Sequence, residues 1–475
     1  MRFILFSLLL ACSLGQLSAQ WVPTQNDPPI TNDDYQEIYN KMKAKLTELG
    51  YPAGRAGNAA WARGQYTLRY EGANAVSNFS ADLRKLKKIY GAKNVTVLGE
   101  CGCSDDFRIY NIHVTPLGGE ERGKGGSSKV AQAIGQEEVE PNYYLIPGLN
   151  QLRSNSPFNS LPPNFAVVPS GKPAAPVTIA VLDTGIDPYF QHPQTTNGRG
   201  PLYLWENNLP NDPNDPFCLD DDLFGWDFIN NDNAPLDDHS HGTHVASGVA
   251  TQLTLHVPDV NYRFMALKML DMNGVGTTFH ASCAVAYAAY HKADIINASW
   301  GFYGERDAIL RKSFAYAQSR GVATITSAGN FRKELSSTKH YPSEFALETT
   351  PLPSILFVAA SRTGGGTSLW RGTNFRSAPL LPGMDFVAAR GTNITALIPS
   401  YFNAPNNLGR KTGTSVAAPF ATAIAANYRH LYPANSPVQL RTDVLNKIRV
   451  QGALGTVNYS GTTVPYRVFN WVNFP

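Results

Sequence analysis

Predominantly apolar runs at 177–182, 264–270, 295–299, 322–327, 355–360 and 385–388 are separated by segments with the 3.6-residue periodicity of helices. A strand with one wet face alternates apolar and polar residues. These runs do not alternate, so both of their faces must be buried. Strands buried on both faces are parallel, because the crossovers that join parallel strands are helices lying on the two sides of the sheet. Residues 173–475 are therefore expected to form an α/β domain on a mostly parallel, doubly wound sheet. At 475 residues the chain has room for this domain and a second one.

The second domain is legible upstream. An alternating strand at 65–71 precedes a helix at 76–90, with Phe79, Leu83, Leu86 and Ile89 at helical spacing. Strands at 94–98 and 107–114, a short helix at 127–134 and a last strand at 139–146 complete β-α-β-β-α-β, a small α+β ferredoxin-like module. The stretch 147–172, rich in Pro, Asn, Ser and Gly, reads as a linker. At the N-terminus, Arg2, an apolar run over 3–10 and Leu17-Ser18-Ala19 fit a signal peptide of residues 1–19 cleaved before Gln20, which predicts a secreted protein. The competing pattern is Leu9-Leu10-Ala11-Cys12, which resembles a bacterial lipobox and would place a lipid on Cys12. No later run reaches the ~20 apolar residues of a membrane span. A net charge of +3 gives no basis for a nucleic-acid partner.

Chemistry concentrates in Val181-Leu182-Asp183-Thr184-Gly185-Ile186-Asp187, His241-Gly242-Thr243-His244-Val245-Ala246 and Gly413-Thr414-Ser415-Val416-Ala417-Ala418-Pro419. A serine hydroxyl is a weak nucleophile at neutral pH. It needs an imidazole to take its proton and a carboxylate to fix the imidazole's tautomer. Asp183, His241 and Ser415 supply one of each, in the chain order Asp, His, Ser. In these motifs and this order the chain resembles the subtilisin-like (subtilase) serine endopeptidases.

The resemblance implies an endopeptidase made as a self-processing zymogen. Residues 20–146 would be the propeptide, closing on VEPNYYLI and acting as an intramolecular inhibitor, with maturation in the linker. It implies polypeptide substrates, a monomer and no cofactor for catalysis. Within Thr326-Ser327-Ala328-Gly329-Asn330, Asn330 is assigned to the oxyanion hole together with the Ser415 N–H. Segment 270–276, with Gly274 and Gly276, and Ser299-Trp300-Gly301 resemble the strands that hold an extended peptide, and His340 stands at the floor of the primary specificity pocket. Of the histidines around His241, His244 is expected to be structural and His239 exposed.

The acid-rich segment 211–238 carries Asp212, Asp215, Asp220, Asp221, Asp222, Asp227, Asp232, Asp237 and Asp238. It reads as a solvated surface loop, with a structural Ca²⁺ site as the alternative. Of the 5 cysteines, Cys218 and Cys283 are candidates for a bridge or for free buried thiols, while Cys101 and Cys103 are too close-set for an easy mutual bond. Asn297, although in a glycosylation sequon, falls in a strand expected to be buried. Two rival functions are a catalytically silent subtilase fold that binds, and a narrow-specificity processing protease. The latter resembles the kexin branch, whose usual following β-domain is missing from the pattern.

Overall fold

The computed structural model describes residues 33–469, apart from 57–58, 103, 105, 116–122, 137, 146–164, 173, 208–221, 363–367, 377–386, 452 and 460–461. The signal-peptide, Cys12 and Cys218 readings, and most of the linker, lie outside the described residues. The N-terminal module comprises α1 (Asp33–Glu48), β1 (Ala53–Ala56), β2 (Ala59–Glu71), α2 (Ala75–Tyr90), β3 (Val95–Cys101), β4 (Phe107–Val114), α3 (Gly123–Ile134) and β5 (Val139–Leu145). Its central strands run in the order β3-β4-β2-β5, antiparallel at every step, as a split βαβ arrangement requires. The helix α1 and the strand β1 were not foreseen. The helix signal is present, since Ile38, Met42 and Leu46 recur at every fourth residue and all are buried.

The second unit begins with β6 (Val177–Asp183), β7 (Gly225–Asp227), α4 (His241–His256), β8 (Tyr262–Lys268), β9 (Gly276–Thr277), α5 (Thr278–Tyr290) and β10 (Ile295–Ala298). It continues through β11 (Phe302–Tyr303), α6 (Ala308–Ser319), β12 (Ala323–Ser327), β13 (His340–Tyr341), β14 (Ile355–Ser361) and β15 (Val387–Arg390). The hairpin β16 (Ile394–Leu397) and β17 (Leu408–Lys411) follows, and then α7 (Thr414–Leu431), α8 (Pro437–Gln451), β18 (Ala453–Tyr459) and β19 (Thr462–Phe469). The main sheet has the order β18-β19-β15-β14-β12-β10-β6-β8-β7, parallel throughout except where β18 pairs with β19.

The strand side chains show why the apolar runs do not alternate. Ile179 and Val181 of β6 enter a cluster with Val245 and Val249 of α4 and Ala417 and Ile424 of α7. Ala180 and Leu182, pointing the other way, enter a cluster with Ala284 and Ala288 of α5 and Phe314 of α6. The sheet is thus covered on both faces, as expected of a doubly wound fold. From β6 the neighbours diverge, β8 to one side and β10 to the other, so its carboxyl end is a topological switch point. Asp183 is the last residue of that strand. Asn297, fully buried, donates to Ser299 Oγ at 2.9 Å and accepts from Thr422 Oγ1 at 2.8 Å, in keeping with its sequence placement.

The cysteine expectation is corrected. Cys283 is bonded to Cys101, not to Cys218. The two sulfurs belong to α5 and to the end of β3, elements 182 residues apart in sequence, and no spacing argument links them.

Candidate active site

Asp183 and His241 are fully buried, and His241 Nδ1 lies 2.8 Å from each Asp183 carboxylate oxygen. Asp183 Oδ1 also accepts from the Thr184 N–H at 2.8 Å, and the Asp183 backbone carbonyl accepts from Met269 N at 2.9 Å, so carboxylate and backbone are each anchored. The Thr-Gly turn after it has a steric reason. Gly185 has φ +103°, and a Cβ there would stand 2.5 Å from the Pro235 carbonyl oxygen.

His241 opens α4, and the start of that helix is held by Asp237, one of the acids expected from the sequence to be solvated. Asp237 is fully buried and accepts from Thr184 Oγ1 (2.7 Å), His239 N (3.0 Å), Ser240 N (2.8 Å) and Thr243 N (2.8 Å). Thr184 Oγ1 accepts in turn from Gly242 N at 2.9 Å, which ties the Asp183 turn to the His241 helix. Between them Ser240 adopts φ 78°, a left-handed conformation held by these bonds. The solvated-loop expectation is corrected for Asp222, Asp227 and Asp237, all of which are buried with hydrogen-bond partners. Carboxylates saturated by donors no longer behave as surface groups. Asp212, Asp215, Asp220 and Asp221 lie outside the described residues.

Ser415 is the second residue of α7, and its carbonyl accepts from Ser299 Oγ at 2.7 Å. The two helices that carry His241 and Ser415 pack closely, and a Cβ at Gly248 would meet Pro419 Cβ at 3.1 Å. Asn330 lies just beyond β12, with its Oδ1 accepting from Thr414 N (2.8 Å) and Thr414 Oγ1 (2.9 Å). A Cβ built on Gly413 would stand 3.2 Å from Asn330 Nδ2 and 3.3 Å from Ser415 Oγ. The amide nitrogen and the hydroxyl therefore flank one point, which only a glycine leaves open. The Asn330 backbone is fixed separately. Its N–H donates to Tyr303 Oη at 3.1 Å, and Asn374 Nδ2 donates to the same oxygen at 2.9 Å. Sequence reasoning had not singled out Thr184, Asp237, Tyr303, Asn374 or Thr414, because each acts through a partner distant in the chain.

His241 Nε2 is buried and has no hydrogen-bond partner among the described residues. His244 Nε2 donates to the Ile394 carbonyl at 3.0 Å, and burial, with Lys411 and His241 nearby, holds the ring far below the ordinary histidine range. It is structural, as expected. His239 is buried, which corrects the expectation of exposure. Lys411, on β17, donates to Ser240 Oγ at 3.0 Å, and burial pushes it down to about 8 against the pull of Asp237 and Asp183.

The segments expected to hold a peptide sit around this centre. Trp300 is buried against Phe314, and its carbonyl accepts from Ser327 Oγ at 3.3 Å. His340 packs under two glycine segments, where a Cβ on Gly301 would fall 2.2 Å from its Nε2 and one on Gly329 2.9 Å from its Cδ2. Its Nδ1 lies 2.8 Å from Ser343 Oγ. Gly276 of β9 is paired with Leu145 of β5, and Thr277 with Tyr144. The edge expected to receive an extended peptide therefore receives the module's last strand.

Burial pushes His340 down to about 3 and His291 down to about 4. The unfolded chain, with histidines near 6.5, takes up these protons first, so stability rises with pH between about 4 and 6.5 and is lost on acidification. Asp238 and Asp307, pushed up to about 6 by burial, act in the opposite sense below pH 6, where the folded form keeps a proton that the unfolded carboxylate has released. His340→Gln is expected to remove about one proton from the unfolding uptake near pH 5. The slope of denaturant-derived stability against pH measures it, and an unchanged slope would show that the folded His340 is already protonated there.

Residues 175–463 match the family model described as the Subtilase family. Subtilisin-like protease 1 of Plasmodium falciparum is 30% identical over 260 residues, covering 52% of this chain and 36% of the relative. Thermophilic serine proteinase of Bacillus sp. (strain AK1) is 28% identical over 254 residues, covering 52% of this chain and 51% of the relative. The aligned region thus spans about a third to a half of the length of these curated relatives. Among solved structures, fervidolysin from Fervidobacterium pennivorans, described as a keratinolytic enzyme related to subtilisin, superposes with a TM-score of 0.52 at 20% identity, over 84% of this chain and 59% of that one. That likeness concerns the fold.

Proposed function

The chain belongs to the subtilase family, and from that premise we propose that it is a serine endopeptidase in which Asp183, His241 and Ser415 act as one catalytic unit. Ser415 Oγ attacks a peptide carbonyl and His241 Nε2 takes its proton. Asp183 holds the Nδ1–H tautomer and stabilises the imidazolium, after which the acyl-enzyme is hydrolysed by water. The observation that carries the reading is the imidazole itself. Its Nδ1 is bound by both oxygens of a buried carboxylate, which leaves Nε2, not hydrogen-bonded to Ser415 Oγ in this structure, as the ring nitrogen able to serve as the base.

Asn330 Nδ2 and the Ser415 N–H, at the positive end of α7, would receive the oxyanion. Asn330→Ala is expected to lower kcat by about 10²–10³ with KM little changed, because the donor serves only the tetrahedral state. A drop in KM-linked binding alone, with kcat intact, would remove Asn330 from that role. Segment 270–276 and Ser299-Trp300-Gly301 would pair with an extended polypeptide, and His340, neutral at physiological pH, would shape the pocket between Gly301 and Gly329. The N-terminal module would be the propeptide, with self-processing in 147–172 of a secreted precursor. Its strand pairing at Gly276 supports an inhibitory role.

The test is labelling with a serine-directed fluorophosphonate followed by peptide mapping. Modification confined to Ser415 is expected. A folded, processed chain that takes no label would favour the silent binding protein instead.

A further inference from the structure

The module is joined to the α/β unit by a covalent bond as well as by packing. Cys101, at the end of β3, is half-buried, while Cys283, inside α5, is buried, and the two form a disulfide. Around it the contacts are close. A Cβ on Gly99 would stand 2.9 Å from the Phe279 ring, Phe107 meets Tyr316 edge-on at 5.1 Å, and Tyr143 stacks on Phe302 at 5.6 Å. Polar groups of the module accept from backbone N–H groups at the starts of two helices, where Asn142 Oδ1 accepts from Phe279 N at 3.0 Å and Glu140 Oε1 from Ala308 N at 3.3 Å. Lys312 of α6 pairs with Glu138 and lies 3.7 Å from Glu71.

A docked inhibitor held by such contacts alone dissociates once its chain connection is cut and the protein is diluted. A cross-link changes this. Any scission between Leu145 and Val177 leaves the two parts bonded through Cys101 and Cys283, so the module faces the cleft at an effective concentration of about millimolar whatever the protein concentration. We propose that the Cys101–Cys283 disulfide retains the module on the cleft after the connecting segment is cut, and that its reduction by a dithiol is the step that releases the module. One thiolate of the dithiol attacks the more accessible Cys101 sulfur, breaking the Cys101–Cys283 bond and leaving the Cys283 thiolate, which takes a proton. The second thiol of the reductant then displaces Cys101 from the mixed disulfide, giving two protein thiols and one oxidised, cyclic reductant. The proposal rests on the reading of the cleft as a protease site, and its two halves are tested separately.

The tether is tested without that site. In full-length Ser415→Ala carrying a site-specific protease sequence between Asn155 and Ser156, cutting is expected to leave one species in denaturing, non-reducing electrophoresis and two after dithiothreitol. Two species without reductant would overturn the tether. Release is tested on processed wild type diluted to nanomolar concentration. Dithiothreitol is expected to raise peptide hydrolysis about tenfold or more, and Cys101→Ser is expected to show the raised rate without it. If reduced enzyme labels with fluorophosphonate but hydrolyses no faster than oxidised enzyme, the release step is wrong. If nothing labels or hydrolyses under either condition while the electrophoretic result holds, the protease reading has failed and the release step with it, and the tether stands. Reduction of the wild type keeps the release test valid should Cys101→Ser fold poorly.

Discussion

Ser415→Ala is expected to lower kcat by on the order of 10⁶ with almost no change in stability or in KM. The side chain removed is one hydroxyl, and the structure shows what remains. The Ser415 carbonyl stays bound to Ser299 Oγ, and Thr414 stays bound to Asn330 Oδ1. Alanine is a better helix former than serine in the first turn of α7, so the helix does not suffer. The strands expected to hold substrate act through backbone groups that the substitution does not touch. What is lost is the attacking atom, and with it the covalent intermediate. In the proposed mechanism His241 and Asp183 serve that atom alone, so they would not compensate. The residual rate should still exceed uncatalysed hydrolysis by about 10³–10⁴, the share of binding and of the oxyanion donors. Steady-state hydrolysis of a chromogenic peptide, on variant chain processed in trans by a trace of wild type and then freed of module, measures the loss. Activity within tenfold of wild type would place the nucleophile elsewhere in the chain.

Much of this arrangement was legible in the sequence, for physical reasons that also mark where legibility ends. The strand at 177–182 could be read because burial on both faces demands apolar residues at consecutive positions, and every residue of the observed strand Val177–Asp183 is buried. Asp183, His241 and Ser415 stand out in the sequence because each sits in a short local motif. Asp237 does not. A carboxylate among many acids looks hydrophilic, and only the folded chain brings Thr184, His239, Ser240 and Thr243 to it as donors. Tyr303 and Asn374 were missed for the same reason, since a phenol and an amide 71 residues apart carry no spacing signal that they support Asn330. The Cys101–Cys283 bond joins two units whose docking had to be known before the pairing could be. The helix Asp33–Glu48 is different, because its apolar period was present in the chain and was not read.

Asp183→Asn is expected to cost about 10⁴ in kcat while leaving the fold in place, and the geometry explains why so small a change matters. Both carboxylate oxygens lie 2.8 Å from His241 Nδ1, so Nδ1 must carry the proton and Nε2 must present its lone pair. An amide at the same position offers an oxygen and an NH₂ group. The Thr184 N–H, which donates to Asp183 Oδ1 at 2.8 Å, keeps the amide oxygen and turns the NH₂ toward the imidazole. Nδ1 then becomes the acceptor and the proton moves to Nε2, so His241 meets Ser415 as a donor and cannot take its proton. The lost negative charge also ceases to stabilise the imidazolium in the transition state. Neither effect depends on substrate binding, so KM should change little. The rate of the variant should rise with pH as hydroxide assumes the role of base, whereas a variant failing through misfolding would lose activity without such a rise. A pH–rate profile of Asp183→Asn beside wild type, with thermal melting to confirm the fold, separates the two, and a loss below tenfold would show that the carboxylate does not set the tautomer of His241.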